Sequence, residues 1–451
     1  MSEPNDVAAA ARRACGPQPL WSHVLAPARG RYMRRAAQAL LDELDVLAPE
    51  LAGVHGVPRT EATLAELLPT VAGLRALADD GPEALAARRL GRSPTLRRAA
   101  IVREPLGVVG VRGGPASPWA EPALETAAAL LAGNGVVLAA AAAERIVGLL
   151  ARAGVPEGLV VAVDPATPLA ALREACHGAW ETEPPAPKAS MLVFAGAPLD
   201  RAVDGALWAA FARAGRGPQA VGRLVTVPEI AGPLLAGLES AARRLRIGDP
   251  GDPATEIGPL DSAADADRVQ ALVEEAVAGG AKLLCGGRTG ERTFAPAVLR
   301  GVAPEARLLH EPVPGPVLAV VEAAGEAEAI DLVRDVAPIV SVWTADRAHG
   351  ERVARAVGTE RAWVNDHGAL SPAAPARMAR YVSELQVGSS PTLLRSARWL
   401  PYDPELVQAS TAVAHLLHGR ESRRLAAARA GVRPLGRVAV RLAREALSAR
   451  R

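Results

Sequence analysis

The chain has 451 residues, 49% of them apolar, and a formal net charge of +2. This length allows two or three domains with a large core, and the near-neutral charge argues against nucleic acid as a partner. The three cysteines, Cys15, Cys176 and Cys285, are far apart and form no CxxC pair. Their spacing argues against a disulfide framework and a structural metal site, and it predicts a reducing, cytoplasmic setting.

The first part of the chain is rich in helix signals and carries no membrane signal. The N-terminal sequence MSEPNDVAAAARRACG lacks the apolar segment of a signal peptide. Residues 31–88 repeat apolar side chains at helical spacing, and a further helix opens at Thr60–Leu67. The alternating segment Ile101–Val111 predicts a strand that ends buried. The apolar run Ala127–Ala143 is interrupted by Gly-Asn-Gly and is too short for a membrane span.

The block from Val109 to Leu138 contains the first family motif. It reads VGVRGGPASPWA, then a helical segment, then GNGVVL. This block resembles the Pro-Trp-Asn-x-Pro and Gly-Asn-x-Val-Val-Leu-Lys-Pro sequences of the aldehyde dehydrogenase superfamily, and the match needs no gap. The resemblance implies that Ala116 replaces the Asn whose amide helps to form the oxyanion hole. It also implies that Ala139 replaces the Lys that meets the cofactor ribose.

The next segment is shorter than its counterpart in the family. After Asp164 the sequence predicts one short helix, Leu169–His177, where the family has a helix, a strand, a cofactor-facing Phe-Thr-Gly-Ser turn and another helix. About one βα unit is therefore missing, and no Gly-x-Gly-x-x-Gly sequence replaces it. Because pyrophosphate binding needs backbone N–H groups at a helix N-terminus, we expect no cofactor, or NAD(P) if any binds.

The sequence PAPKASMLVF resembles the family's Glu-Leu-Gly-Gly-Lys-Ser-Pro segment. Lys188 keeps the Lys position, but the position of the general-base Glu falls on Pro184. Glu181 and Glu183 are close enough in sequence to swing into the site. A solvated, Pro-rich loop is the simpler interpretation of this stretch.

The stretch Leu199–Arg223, LDRAVDGALWAAFARAGRGPQAVGR, resembles the segment that carries the family nucleophile. The family pattern is Phe-x-Asn-x-Gly-Gln-x-Cys, with an Arg five residues later. The positions that match are Phe211, Gly215 and Arg223. The Asn, Gln and Cys positions are occupied by Arg213, Arg216 and Pro218, respectively. The resemblance therefore implies that the residues matching the motif in position are kept, whereas the Asn, Gln and Cys side chains are replaced.

Two new cations therefore stand on the nucleophile segment. Arg213 and Arg216 predict an anion-binding pocket, because Arg side chains bind carboxylate or phosphate through paired N–H donors. The alternative is that both pair with local carboxylates or fill the vacated cavity. Leu207, Trp208 and Phe211 are expected to anchor the preceding helix.

The resemblance continues as far as Asn365. The segment Leu245–Leu260 is close to the family consensus, and Trp363 to Asn365 match a Trp-Val-Asn sequence. In the family's Glu-Glu-x-Phe-Gly-Pro motif the second Glu holds the nicotinamide ribose. That position is Pro312 here, so the resemblance implies that this cofactor contact is lost.

The C-terminal part of the chain is basic. Residues 420–451 contain ten Arg and two Glu, a net charge of +8, so the rest of the chain sums to about −6. Arg437, Arg441 and Arg444 fall on one face of a predicted helix. The commoner structure of such a segment is a terminal helix with a solvated Arg face, and we expect that here. Contact with anionic lipid or with a partner is the alternative.

The predicted fold class is α/β. The resemblance implies two Rossmann-type open α/β domains, with the nucleotide domain truncated, together with oligomerisation segments and a helical C-terminal tail. We expect a degenerate NAD(P)-binding-type domain at 1–183 and a catalytic-type domain without its nucleophile at 184–370. Residues 371–451 would form the oligomerisation and tail region. Residues 92–103 would form an oligomerisation strand, together with the segment after Ser371.

Five family positions lose their chemistry together. Aldehyde oxidation on this fold needs a thiolate nucleophile, an oxyanion hole, bound NAD(P) and a carboxylate that activates water. Proline offers neither a nucleophile nor a backbone N–H. The five changed positions are Ala116, Ala139, Pro184, Pro218 and Pro312. Cys285, in a surface-type turn, and Cys176, beside His177 on a short helix, are not expected to replace the nucleophile.

The sequence therefore predicts an aldehyde dehydrogenase-like pseudoenzyme, without catalytic or metal-binding residues. It would act as a non-catalytic scaffold or regulatory partner. We expect a homo-oligomer or a hetero-oligomer, and an intact aldehyde dehydrogenase is one candidate partner in the hetero-oligomer. The alternative is a residual or repurposed NAD(P)-dependent aldehyde oxidoreductase.

Overall fold

The computed structural model describes most of the chain, in two compact units. The described residues are 6–90, 98–114, 117–182, 188–216, 219–334, 336–368, 374–389, 403–420, 424, 426, 428–429, 431–433, 435–438 and 440–441. Ala116, Pro184, Pro218 and Arg444 lie outside them. The first unit comprises Met1–Ala84 with Pro105–Tyr381, and the second comprises Leu85–Glu104 with Val382–Arg451. The three predicted domain ranges remain a prediction.

In the described ranges six α-helices open the first unit, and from β3 onward helices and strands mostly alternate, as is typical of an α/β fold. The α-helices are α1 (Val7–Cys15), α2 (Gln18–His23), α3 (Ala26–Asp42), α4 (Leu44–His55), α5 (Arg59–Glu61), α6 (Leu68–Leu85), α7 (Ala120–Ala132), α8 (Ala143–Arg152), α9 (Leu169–Ala175), α10 (Leu199–Phe211), α11 (Pro228–Ala242), α12 (Ala263–Ala278), α13 (Arg307–His310), α14 (Glu326–Asp331), α15 (Arg347–Val357), α16 (Ala374–Ala379) and α17 (Pro404–His418). The strands are β1 (Arg88–Leu90), β2 (Arg98–Pro105), β3 (Val108–Arg112), β4 (Gly135–Ala139), β5 (Val160–Val163), β6 (Ala179–Glu181), β7 (Ala189–Val193), β8 (Val221–Thr226), β9 (Lys282–Arg288), β10 (Phe294–Arg300), β11 (Val317–Glu322), β12 (Ile339–Trp343), β13 (Arg361–Val364) and β14 (Val382–Ser389).

The N-terminal helices follow their sequence signals. Asp6 begins α1, because its side chain accepts the backbone N–H of Ala9 at 2.9 Å. Helix α4 ends at Gly56, which adopts the left-handed conformation that favours glycine. The helix predicted to open at Thr60 is present. Between α5 and α6, however, Ala62–Leu67 forms a π-helical turn, a feature that often marks functional positions.

A four-stranded parallel sheet forms the nucleotide-type half of the first unit. Its order is β5-β4-β3-β6, with α7, α8 and α9 as the successive connections. The chain moves outward from β3 to β5 and then returns to the other side of β3, so the strand order reverses between β3 and β6. In open α/β sheets ligands bind at the carboxyl edge of such a reversal. The predicted short helix is confirmed as α9, and β6 lies in a segment for which no strand was predicted.

A seven-stranded sheet forms the catalytic-type half. Its order is β13-β12-β7-β8-β11-β10-β9, and only the β9–β10 pair within it is antiparallel. Both faces are covered, because alternate residues of β7 point to opposite cores. Met191 and Val193 pack with α10 and α11, whereas Leu192 packs with the residues of α15. The predicted α/β class with Rossmann-like parallel sheets is confirmed.

The second unit combines a small sheet with a helical segment. Its sheet has the order β1-β2-β14, so residues 98–103 of the predicted oligomerisation strand and the segment after Ser371 contribute neighbouring strands. Helix α17 packs its Leu406 and Ala409 against Val438 of the helical segment that follows. None of the helices in the described ranges is long and apolar enough to cross a lipid bilayer.

Candidate active-site remnant

A cavity of about 340 Å³ lies in the first unit, and we call it the central cavity. Its polar and charged lining residues are Glu121, Arg213, Arg216, Gln219, Asp366 and His367. Its larger apolar lining residues are Leu64, Leu124 and Trp208. Arg216 and Gln219 flank Pro218 in the sequence, so the segment that resembles the nucleophile segment of the family borders this cavity. The structure thus brings together both predicted Arg residues.

The helix before this segment is anchored differently from the prediction. Phe211 is buried, and Leu207 packs partly against the same core. Trp208 is 44% exposed and lines the central cavity, so the prediction that it anchors the helix is wrong. Phe211 ends α10 and packs into the core, whereas Trp208, about one turn earlier on the helix, lines the cavity.

The carboxylate of Glu66 organises the wall of the cavity. Glu66 is fully buried on the π-helical turn, and its Oε2 accepts the backbone N–H groups of Trp119 and Ala120 at 3.1 and 2.8 Å. The hydroxyl of Ser117 donates to the same oxygen at 2.9 Å. Glu66 therefore caps the N-terminus of α7, where a negative charge also meets the positive end of the helix dipole.

Arg213 faces this carboxylate from the nucleophile-like segment. Its Nη2 lies 2.9 Å from Oε1 of Glu66, and it also donates to the carbonyl of Ala65 at 3.1 Å. Arg216 forms an ion pair with Asp261 and donates from Nε to the carbonyl of Arg213 at 2.9 Å. Both predicted pocket residues thus line the cavity while pairing with local carboxylates. These contacts agree with the alternative prediction that both Arg residues pair with local carboxylates. Binding of an external anion by Arg213 and Arg216 stays a prediction.

The turn that carries these residues has a strained backbone. Arg213 and Ala214 have φ angles of 56° and 51°, in the left-handed region that non-glycine residues avoid. Each such residue costs about 1–2 kcal/mol. Gly215 follows with φ of 69°. Three successive left-handed residues aim the two Arg side chains at their carboxylates, and such strain is typical of functional segments.

Gly215 permits a close backbone approach. A Cβ atom built there would lie 2.4 Å from the carbonyl oxygen of Gly315 and 2.7 Å from Pro316. The glycine kept from the nucleophile motif therefore packs directly on the Gly-Pro kept from the Glu-Glu-x-Phe-Gly-Pro motif.

A second buried carboxylate, Glu61, lies near the strained turn. Burial raises the pKa of Glu61 to about 7, with Arg213 lowering it and Glu66 raising it further. Its Oε1 has no hydrogen-bond partner in the part of the chain that the structure describes. Sequence analysis missed Glu61 and Glu66. A carboxylate in an apolar helical run such as ATLAELL was the available signal, since buried acids need partners.

An ionic cluster borders the cavity at the start of α7. Arg377 on α16 contacts Glu121 at 2.9 Å and Glu125 at 2.6 Å. Burial alone would raise the pKa of Glu121, but the charge and hydrogen bond of Arg377 keep it below its ordinary value. Tyr381 donates its hydroxyl hydrogen bond to Glu125. The cluster is fully paired and holds α16 against α7.

His367 is a cavity residue that sequence analysis did not single out. It is buried, and its Nε2 lies 2.7 Å from the carbonyl oxygen of Gln219, so this nitrogen carries a proton. Its Nδ1 lies 3.1 Å from Oγ of Ser341. Burial lowers the pKa of His367, which keeps the ring neutral at pH 7. Both nitrogens are engaged in hydrogen bonds that fix the ring.

The carboxyl edge of the four-stranded sheet is occupied by side chains of the chain itself. Arg112, at the end of β3, forms an ion pair with Glu181 at the end of β6 and donates to the carbonyl of Thr167 at 3.2 Å. The hydroxyl of Thr182 accepts the N–H of Gly114 at 3.2 Å. Ala139 ends β4 fully buried. Glu181, which was considered as a swinging base, is held by Arg112 instead.

The remaining predicted positions differ in their surroundings. Pro312 is exposed, and the neighbouring Glu311 pairs with Arg307 at 2.7 Å. Lys188 donates to the carbonyl of Gly315 at 2.8 Å, and burial lowers its pKa to about 7. Lys188 therefore supports the same Gly315 backbone that Gly215 contacts.

None of the cysteines lines the central cavity. Cys285 lies in β9 and is buried, so the prediction of a surface-type turn is wrong; the strand pairing of β9 with β10 turns its side chain inward. Burial raises the pKa of Cys176 to about 11 and also raises that of Cys285. Among the described residues there is no group of three or more His, Cys, Asp or Glu that could hold a metal ion.

Known proteins resemble this chain over most of its length. A family model described as "Aldehyde dehydrogenase family" matches residues 1–172 and 186–377. The chain is 32% identical to the 4,4'-diapolycopene aldehyde oxidase of Methylomonas sp over 385 residues, which cover 77% of this chain and 71% of that protein. It is 30% identical to the betaine aldehyde dehydrogenase of Bacillus subtilis over 406 residues, covering 79% and 80% of the two chains.

Solved structures agree with these sequence matches. The crystal structure of PnpE from Pseudomonas sp. WBC-3 superposes with a TM-score of 0.77 at 25% identity, over 86% of this chain and 91% of that chain. The ranges that the family model matches include the seven-stranded sheet, strands β3 to β5 of the four-stranded sheet and the residues that line the central cavity. The chain belongs to the aldehyde dehydrogenase family.

Proposed function

We propose that this chain is a non-catalytic member of the aldehyde dehydrogenase family, a scaffold or regulatory partner. The observation that carries the proposal is Pro218 at the position of the family nucleophile, in a segment whose described residues still border the central cavity. Proline has no nucleophilic atom, so this position cannot form the covalent intermediate of aldehyde oxidation.

The other catalytic groups are absent or committed elsewhere. Ala116 has no side-chain amide, and Pro218 has no backbone N–H to stabilise an oxyanion. Arg213, which stands at the position of the family Asn, is paired with Glu66 at 2.9 Å. His367 has both ring nitrogens in hydrogen bonds, so it is not poised as a base.

The carboxyl edge of the four-stranded sheet argues against dinucleotide binding. A structure of PnpE contains nicotinamide adenine dinucleotide, so cofactor binding is a property of relatives. In this chain the Arg112–Glu181 ion pair bridges the ends of β3 and β6, where a dinucleotide would bind an open α/β sheet. Ala139 and Pro312 offer no polar contact to a ribose. These residues do not fit the cofactor.

Equilibrium binding of NAD and NADP to the purified protein tests the proposal. We expect no saturable binding up to ~1 mM, the upper range of ordinary enzyme affinities, and no NADH formation with betaine aldehyde or benzaldehyde. An intact aldehyde dehydrogenase serves as the positive control. Tight cofactor binding together with aldehyde-dependent NADH formation would establish the alternative, a residual or repurposed oxidoreductase.

The scaffold role requires a partner. The sheet β1-β2-β14 is the candidate oligomerisation surface, and the partner would be a second copy or an intact aldehyde dehydrogenase. Light scattering after size-exclusion chromatography measures self-association, and affinity purification from the native cell tests for the intact relative. A lone monomer that captures no aldehyde dehydrogenase would contradict this version of the function.

A further inference from the structure

The helical segment after α17 presents two different faces. The described residues from 424 to 441 are helical, and Gly431, Leu435 and Val438 turn toward α17. At 100° per residue the opposite face contains Arg429 and Arg433, both exposed. The outer face of this segment is thus free of the contacts that hold the inner face.

Ion pairs hold one edge of the segment in place. Arg437 contacts Glu405 at 3.2 Å, and Arg441 contacts Asp403 at 2.6 Å, both at the start of α17. These contacts orient the helix on α17. Because they occupy the edge rather than the centre of the outer face, they leave Arg429 and Arg433 directed away from α17.

The outer face carries charge without compensation. Neither Arg429 nor Arg433 has an ion-pair partner among the described residues, and no Asp or Glu occurs in the sequence between Arg424 and Arg441. Some exposed Arg residues on other helices do pair with a carboxylate one helical turn away, as Arg347 pairs with Glu351 at 2.9 Å. The charges of Arg429 and Arg433 therefore attract anions over a distance of several ångströms.

The same face also exposes apolar surface. Val432 and Val440 are 67% and 54% exposed, and they lie beside the Arg row at spacings of whole helical turns. The described part from Arg429 to Arg441 is about 18 Å long. On one face, exposed Arg side chains can meet lipid phosphates while exposed Val side chains beside them meet the apolar boundary below the headgroups.

We propose that this outer face, defined as Arg429, Val432, Arg433 and Val440, docks on the surface of an anionic phospholipid bilayer. The guanidinium groups contact lipid phosphates, and the two Val side chains enter the boundary between headgroups and acyl chains. The helix lies on the membrane and does not cross it. The charge of +8 on residues 420–451 adds attraction, whereas the rest of the chain, at about −6, is repelled.

Nucleic acid fits this face less well. No Phe, Trp or Tyr occurs from Asp403 to the C-terminus, so the segment offers no aromatic platform for base stacking. Exposed Val side chains gain nothing from a phosphate backbone but gain about 0.8 kcal/mol per buried CH₂ in a lipid interface. The combination therefore favours lipid over a polyanion in water.

Vesicle sedimentation of the full-length protein tests the proposal. We expect binding to vesicles of equal parts phosphatidylglycerol and phosphatidylcholine, none to pure phosphatidylcholine, and release at high salt. Replacing two outer charges, Arg429→Gln with Arg433→Gln, should weaken binding roughly 30-fold. Replacing the apolar pair, Val432→Gln with Val440→Gln, should weaken it roughly 10-fold without changing the salt dependence.

A matched control separates this face from net charge. Arg12→Gln with Arg347→Gln removes the same charge from two exposed helix positions elsewhere, and it should leave vesicle binding nearly unchanged. Circular dichroism confirms that each variant folds. The proposal is overturned if the protein ignores anionic vesicles, if both Arg pairs weaken binding equally, or if a duplex oligonucleotide displaces it from vesicles at a lower phosphate concentration.

Discussion

The carboxylate of Glu66 joins Arg213 of the nucleophile-like turn to the N-terminus of α7. One oxygen lies 2.9 Å from the guanidinium of Arg213, and the other accepts the N–H of Ala120 at 2.8 Å. The segment that resembles the nucleophile motif thus contributes one end of an ion pair with a buried carboxylate. The stability of the cavity wall depends on this pair.

Removing either member of the pair should destabilise the protein strongly. Glu66→Ala leaves the first turn of α7 uncapped and Arg213 without this carboxylate, and Arg213→Met leaves a buried negative charge. We expect each change to cost roughly 3–5 kcal/mol in the free energy of unfolding. The double variant should cost much less than the two costs added together, since the residues interact. Urea denaturation of the four proteins measures this coupling, and additive costs would contradict the prediction.

The raised pKa of Glu61 predicts a stability that falls as pH rises. The folded protein binds this proton with a pKa of about 7, against an ordinary pKa of 4.5 for an exposed Glu. Between those two values the folded state holds more protons than the unfolded state, so stability decreases from about pH 5 to pH 8. The full effect is roughly 3 kcal/mol.

Glu61→Gln should remove this part of the pH dependence and stabilise the protein at pH 8. Thermal denaturation at pH 5 and pH 8 measures the difference. Glu291→Gln, at an exposed position, is the matched control and should leave the pH dependence as it is. A Glu61→Gln profile parallel to that of the unchanged chain would count against the assignment.

Gly215→Ala should destabilise the chain by more than about 1 kcal/mol. The φ of 69° disfavours a side chain, and the new Cβ would meet the carbonyl oxygen of Gly315 at 2.4 Å. Gly148→Ala is the matched control, because that glycine lies inside α8 and a new Cβ there would meet no neighbouring residue within 4 Å. The control should stabilise by up to ~1 kcal/mol. Equal effects of the two changes would show that the close approach is unimportant.

The three thiols should differ sharply in reactivity. Cys15 is exposed, whereas Cys176 and Cys285 are buried and have raised pKa values. Since thiolates are the reactive species, only one thiol should react rapidly with Ellman's reagent at pH 8. Cys15→Ser should abolish the fast phase. A fast phase that persists in this variant would point to an activated buried cysteine and would reopen the question of a substitute nucleophile.

The sequence determined more of the fold than of the cavity. The order of motifs that resemble the aldehyde dehydrogenase family implied the α/β class, and apolar periodicity predicted individual helices, because the buried face of a helix has a local spacing. The assignment of Ala116, Pro184 and Pro218 to family site positions rests on the resemblance alone and stays a prediction, since all three lie outside the described residues. The ion pair between Glu66 and Arg213 could not be predicted from the sequence, because the two residues are far apart in the chain.

Only the tertiary structure shows which carboxylates Arg213 and Arg216 contact. From the sequence, Arg213 and Arg216 could bind either an external anion or local carboxylates, because a guanidinium donates hydrogen bonds to both kinds of partner. Folding brings Glu66 and Asp261 to them from distant segments and places Glu61 where water is excluded. Local sequence therefore sets which groups exist, and long-range packing sets which charges they meet and how far each is removed from water.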